Sequence, residues 1–285
     1  MSSRRAVGAS AVDEPPRGKA LAVGNLASRI LVAAILLPIA IAALWFGAWW
    51  LVALGVVAGV LAAHELWTIA RDHRPVMLAG YIGVAAVVLA AHLRGVEGMV
   101  LVLGPVVLLT FILAAASPRE GHSSLTSMAV TVFGVVWIGV GLGAVVILRD
   151  NSFTLVLAVL LGTWASDIGA YAIGRLIGRR KLAPAISPGK SVEGFLAGVV
   201  VGTIVVWWVL YGQDVVGSLD ALVLGLIVAL TGPFGDLLES FVKRDLGVKD
   251  SGTLLAGHGG VLDRIDAMLI TAPLALFGLW LITYL

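Results

Sequence analysis

Hydrophobic positions along this chain neither alternate nor recur every three or four residues; they come in long unbroken runs separated by short polar gaps. The runs fall at about 30–46, 48–70, 76–93, 99–116, 125–148, 153–175, 192–212, 219–241 and 264–284, nine in all. Each approaches the roughly 20 residues that an apolar helix needs to cross a bilayer core. Strands of an outer-membrane barrel would show a period of two, which these runs lack. The pattern therefore predicts an all-α fold, a polytopic membrane helical bundle of about nine transmembrane helices. Only Gly47 and the Trp49/Trp50 pair separate the first two runs, and they read as an interfacial turn marked by aromatic residues.

Composition agrees: with 60% hydrophobic and 13% charged residues among 285, the chain has too little polar surface to cover a soluble globule. Charge adds a direction. With the N-terminus placed in the cytoplasm, seventeen of the nineteen Lys and Arg residues fall on the inner side and only Arg94 and Arg149 outside, the bias expected for that orientation. Residues 1–28 hold Pro15, Pro16 and mixed charge without an apolar run, so they read as a disordered cytoplasmic tail and not as a cleavable signal peptide. Residues 29–150, about five spans, are poor in charge; their most unusual pair, His64 and Glu65, is either solvated at the cytoplasmic interface or part of the site lining. Residues 151–285, about four spans, carry the candidate chemistry on the cytoplasmic side. Cysteine is absent, which excludes disulfides, thiolate metal sites and cysteine nucleophiles and leaves oxygen or histidine to bind any metal. A multi-pass protein of a bacterial cytoplasmic membrane fits this composition.

In the sixth run Asp167, Tyr171 and Arg175 are spaced by four and share one helical face. A basic loop follows, in which Ser187, Pro188, Gly189, Lys190 and Ser191 read as a Pro-Gly turn that presents backbone amides, an ammonium and a hydroxyl to a phosphate at a helix start. The eighth run ends in a polar stripe, Asp236, Glu239, Ser240 and Lys243, at i, i+3, i+4 and i+7, while Leu237, Leu238, Phe241 and Val242 keep the other faces apolar. Arg244, Lys249, Asp250, His258, Gly259 and Gly260 follow that stripe, and Asp263, Arg264 and Asp266 stand at the threshold of the last run. Asp263 and Asp266 fall on one helical face, and carboxylates so gathered favour a cation; all-oxygen ligation suits magnesium bridging phosphate oxygens. Metal-holding acids, phosphate-holding bases and a lipid interface imply phosphoryl or nucleotidyl transfer onto a lipid head group. Nothing points to nucleic acid, and a homodimer is compatible with the pattern.

The same residues resemble a known family, the phosphatidate cytidylyltransferases or CDP-diglyceride synthases. Its signature appears as Ser240, Lys243-Arg244, Lys249-Asp250, His258-Gly259-Gly260 and Asp263-Arg264 with Asp266; Ala256 stands where the family usually has proline or glycine. The resemblance covers roughly residues 160–270. It implies attack of the phosphate of phosphatidic acid on the α-phosphorus of CTP, giving CDP-diacylglycerol and pyrophosphate in phospholipid biosynthesis. It further implies Mg2+ on Asp236, Asp263 and Asp167, a second metal ion without assigned ligands, and Asp250 and Asp266 beside them. Lys243 and Arg264 then join the carboxylates in catalysis, while Ser187, Lys190, Ser191, Ser240, Arg244, Lys249, His258, Gly259 and Gly260 bind the substrates. The nearest enzymatic alternative is another CTP-using lipid phosphotransferase of polyisoprenol kinase type. A secondary transporter would place charge near the midplane between repeats, and neither repeat nor midplane cluster is visible.

Overall fold

The computed structural model describes residues 34–116, 123–252 and 259–284. It is nearly all helical, in agreement with the predicted fold class. Helices α1 (Ala34–Phe46) and α2 (Ala48–Ile69) meet at Gly47, and a short 3-10 turn, Arg71–His73, leads to α3 (Met77–Ala116). Helix α4 (Ser124–Gly134) runs through a π-helical turn (Val135–Val140) into α5 (Gly141–Asn151). Next come α6 (Phe153–Ile177), strands β1 (Lys181–Ala183) and β2 (Ser187–Ser191), α7 (Val192–Leu210), α8 (Ser218–Asp245) and α9 (Leu262–Tyr284). Seven stretches among the described residues are long and apolar enough to cross a membrane. Leu176 and Trp208 stay 78% and 71% exposed, as side chains facing lipid would.

A straight helix of the 40 residues in α3 would reach about 60 Å, twice the thickness of a bilayer core. The chain instead breaks at Gly95, whose φ of 61° and ψ of −145° only glycine adopts cheaply. Gly83 then lies against Val106: a methyl group added to Gly83 would stand 2.9 Å from the valine side chain. The two halves are antiparallel, matching the separate apolar runs at 76–93 and 99–116.

Contacts distinguish the two ends of the bundle. At one end Arg149 donates to the carbonyls of Leu44 (2.5 Å) and Trp45 (2.9 Å), and His92 bonds Asp150 at 2.7 Å. At the other end Ser127 donates to His73 O at 3.0 Å and Lys190 to Pro233 O at 3.1 Å. Arg71, Arg74, Arg179, Arg180, Lys181, Lys190, Lys243, Arg244 and Lys249 belong to this second end by connectivity, Arg94 and Arg149 to the first.

One apolar core joins α2, α3, the π-turn and α5 around Trp67, Leu66 and Ile138; another joins α6, α7, α8 and α9 around Val206, Leu224 and Val228. In the second, Gly194, Gly198 and Gly202 recur every four residues along α7. A methyl group on Gly194 or Gly198 would stand 2.6 Å from the carbonyl oxygen of Ala170 or Ser166 on α6. Small residues thus bring two backbones into contact, the packing that substitutes for a hydrophobic drive inside lipid.

Candidate active site

Helix α8 contains Pro233, whose missing N–H deprives the Ala229 carbonyl of its helical partner. Ser166 on α6 donates its hydroxyl to that carbonyl at 3.4 Å, and Lys190 donates to the carbonyl of Pro233 itself. Two residues on, Gly235 touches α9: an added methyl group would stand 2.6 Å from Asp266 O and 2.7 Å from Ala267 Cα. This near contact of backbones puts the acids that follow Gly235 beside the second turn of α9.

Asp236, Glu239 and Asp266 each offer a carboxylate oxygen there, all within 4.8 Å of one another. Glu239 is only 2% exposed; one oxygen pairs with Lys243 Nζ at 2.9 Å, and the other, Oε1, is buried without a hydrogen-bond partner. Three converging carboxylates and an orphaned acceptor oxygen fit a hard divalent cation, which prefers oxygen ligands.

Lys243 Nζ also lies 2.9 Å from Asp263 Oδ1. Asp263 takes a second donor on that oxygen, Ser251 N at 3.4 Å, and Gly260 N on the other at 2.8 Å. Its carboxylate thus ties down the N-terminal turn of α9, where orphaned amides need acceptors. The converging trio differs from the expected metal set in holding Glu239 and Asp266 in place of Asp263 and Asp167.

Asp167 faces a neighbouring cleft of about 580 Å³, lined also by Tyr171, Arg175, Ser187, Lys190, Ser191, Phe195 and Asp236. Arg175 donates to the Tyr171 hydroxyl at 2.9 Å, so the predicted face of α6 is formed. Lys190 crosses the cleft to Asp236, 2.6 Å away. Asp236 therefore belongs both to the cleft and to the carboxylate trio.

The loop before α7 is folded differently from the Pro-Gly turn expected. Residues 184–186 make the reversal, and Ser187 to Ser191 form strand β2, paired antiparallel with β1 through Lys181 opposite Ser191 and Ala183 opposite Ser187. The Ser191 hydroxyl caps α7 by accepting from Gly194 N at 3.2 Å. The strand pairing and this cap engage groups that the expected phosphate cradle would need.

Of the remaining expected residues, Arg244, Lys249, Asp250 and Arg264 are exposed at the same end, Ser240 is half-buried, Gly259 has a φ of +79° beside Asp263, and Gly260 is buried. His258 and Ala256 lie outside the described residues. Sequence reasoning placed Glu239 in the stripe but not in the site, although its i+3 spacing from Asp236 was the available signal. Glu65 is not solvated: it is 3% exposed and accepts from Val261 N and Leu262 N, each at 2.9 Å. As an acid within an apolar run it already stands out in the sequence.

Fold and site together define a polytopic helical-bundle membrane protein with a lysine-bridged carboxylate site at its basic end. The model of the cytidylyltransferase family matches residues 27–282, and the chain belongs to that family. It is 41% identical over 165 residues to the phosphatidate cytidylyltransferase of Mycobacterium bovis, covering 56% of this chain and 52% of that protein. Proteins of the same name are similar in Staphylococcus haemolyticus (38% over 156 residues; 54% of this chain, 60% of the relative) and Staphylococcus aureus strain COL (35% over 195 residues; 68% and 75%). The chain spans about half the length of the mycobacterial relatives it matches.

Proposed function

We propose that the protein is a phosphatidate cytidylyltransferase of a bacterial cell membrane, joining CTP and phosphatidic acid to give CDP-diacylglycerol and pyrophosphate. The observation that carries this reading is the converging trio Asp236, Glu239 and Asp266, with the orphaned oxygen of buried Glu239, flanked by Lys190 and Lys243 in a cytidylyltransferase-family chain. An oxygen of the lipid phosphate bonds to the α-phosphorus of CTP as the bond to the β-phosphate oxygen breaks and pyrophosphate departs. The nucleophile is already an anion, so no strong general base is needed; positioning and charge neutralisation are the tasks left to the protein.

Asp236, Glu239 and Asp266 would hold a magnesium ion, which when bound neutralises the triphosphate. Lys190 and Lys243, each already beside a carboxylate of the site, are poised to exchange that partner for a phosphate oxygen. Arg175, at the rim of the cleft, and Arg244, Lys249 and Arg264, exposed at the basic end, add positive charge for two anionic substrates. The segregation of basic residues to one end supports nine spans with the N-terminus cytoplasmic, which would put the site where CTP is available.

The test is an assay of purified protein with labelled CTP, phosphatidic acid and magnesium. The expected result is lipid-borne cytidylate with one equivalent of pyrophosphate. Absence of both products from folded protein, or consumption of a polyisoprenol in place of phosphatidic acid, overturns the reading.

A further inference from the structure

The start of α9, which leads into Asp263 and Asp266, rests on a residue far away in the sequence. Glu65 lies in the last two turns of α2, a helix otherwise apolar over most of its length. Its Oε1 accepts from Val261 N and its Oε2 from Leu262 N, both at 2.9 Å, across 196 and 197 residues of chain. These are amides of the turn that opens α9, which lack intrahelical acceptors, and an anion at a helix N-terminus also opposes the helix dipole favourably.

The surroundings are shaped to this carboxylate. A methyl group on Gly252 would stand 2.9 Å from Glu65 Oε1, and one on Gly260 would collide with Glu65 Oε2 and Ser251 Oγ. Glycines on both flanks of α9's approach thus allow the backbone to close around Glu65. Directly after the two bonded amides comes Asp263, held by Lys243 and Gly260 N, and three residues later Asp266 of the carboxylate trio. One carboxylate on α2 therefore fixes the depth and rotation of the turn that presents both acids.

We infer that Glu65 is a positioning residue for the site: it acts through the backbone of Val261 and Leu262 to set Asp263 and Asp266 against Glu239 and Lys243. It touches no reacting atom. The inference concerns catalysis only through the cytidylyl transfer proposed above, whereas its structural part stands on the two hydrogen bonds. A carboxylate accepts two amide donors at once; glutamine offers one acceptor oxygen and turns its NH2 toward the second amide, so Glu65→Gln removes half of the clamp without changing its size. Glu65→Asp keeps both acceptors and the charge but withdraws them by one methylene.

The experiment purifies the full chain in detergent as wild type, Glu65→Gln and Glu65→Asp. Turnover is measured per folded protein, together with amide exchange at Val261 and Leu262. Because misplacement by about 1 Å can cost on the order of a hundredfold in rate, Glu65→Gln is expected to lose about ten- to a hundredfold in kcat, with KM for both substrates within about threefold. Glu65→Asp is expected to fall between, and exchange at the two amides to quicken in Glu65→Gln. Wild-type kcat in folded Glu65→Gln, or in folded Glu65→Asp should the glutamine variant not fold, overturns the positioning role, as does a loss confined to KM. Should the wild type show no transfer from CTP to phosphatidic acid, the proposed function fails by itself. Amide exchange then decides: faster exchange at Val261 and Leu262 in the folded variant upholds the clamp, and unchanged exchange overturns it.

Discussion

Lys190 and Asp236 form an ion pair of 2.6 Å between strand β2 and helix α8, 46 positions apart in sequence, at the point where the cleft meets the carboxylate trio. Neither residue is fully buried, so the pair can open to admit ligands. It joins the two parts of the site through a single carboxylate.

Asp236→Asn removes one member of the trio and the charge that holds Lys190. The protein is expected to stay folded and membrane-inserted, while turnover of CTP with phosphatidic acid falls by about a hundredfold or more, as positioning losses of this kind do. Near-normal turnover in a monodisperse preparation would remove Asp236 from the catalytic set.

Glu239→Gln and Asp263→Asn separate cation holding from helix anchoring. Glu239 contributes the orphaned oxygen, so Glu239→Gln is expected to raise the magnesium concentration for half-maximal rate by about ten- to a hundredfold. Asp263→Asn weakens bonds to Lys243 and Gly260 N and is expected to destabilise the fold by about 1–3 kcal/mol in addition to slowing turnover. Magnesium titrations and thermal unfolding of both variants check the division; the opposite pattern would exchange the two roles.

Gly235→Ala places a methyl group against the backbone of Asp266 and Ala267 and should force α8 away from α9, separating Asp236 from Asp266. Activity is expected to drop by about tenfold or more, by the same geometric sensitivity. Gly104→Ala, where an added methyl group meets nothing within 4 Å, serves as the control and should retain both activity and thermal midpoint. Equal behaviour of the two variants would mean that the α8 to α9 contact does not position the acids.

Chelation offers a test without mutation. EDTA is expected to abolish transfer, and magnesium added in excess of the chelator to restore it, since the trio would hold the ion that neutralises the triphosphate. Full activity in EDTA would show that the trio works without a divalent ion.

Much of this structure was legible in the sequence because the signals were local. Apolar runs mark the helices, and the gap between residues 93 and 99 marks the reversal that Gly95 makes. The stripe from Asp236 to Lys243 needed only helical spacing, and the structure indeed puts Lys243 one turn from Glu239. What stayed hidden was long-range pairing. No local pattern announces that Glu65 meets Val261 and Leu262, or that Lys190 finds Asp236. The β-hairpin was missed for another reason: five polar and small residues, SPGKS, carry no alternation, so the Pro-Gly pair outweighed the strand. The bond of Asp263 to Gly260 N, three residues back, is a helix-start arrangement that spacing could have suggested.

The glycine stripe of α7 has a mechanical consequence. Where Gly194 and Gly198 lie against α6, the distance between the helices is set by backbone van der Waals radii and not by side chains that can change rotamer. Such a spacing can neither shrink nor relax by repacking. When the bilayer thins or thickens, helices elsewhere tilt to match it, but α6 and α7 must tilt as one body. Asp167, carried by α6, and Lys190, carried by the strand that feeds α7, therefore keep their separation across membranes of different lipid content.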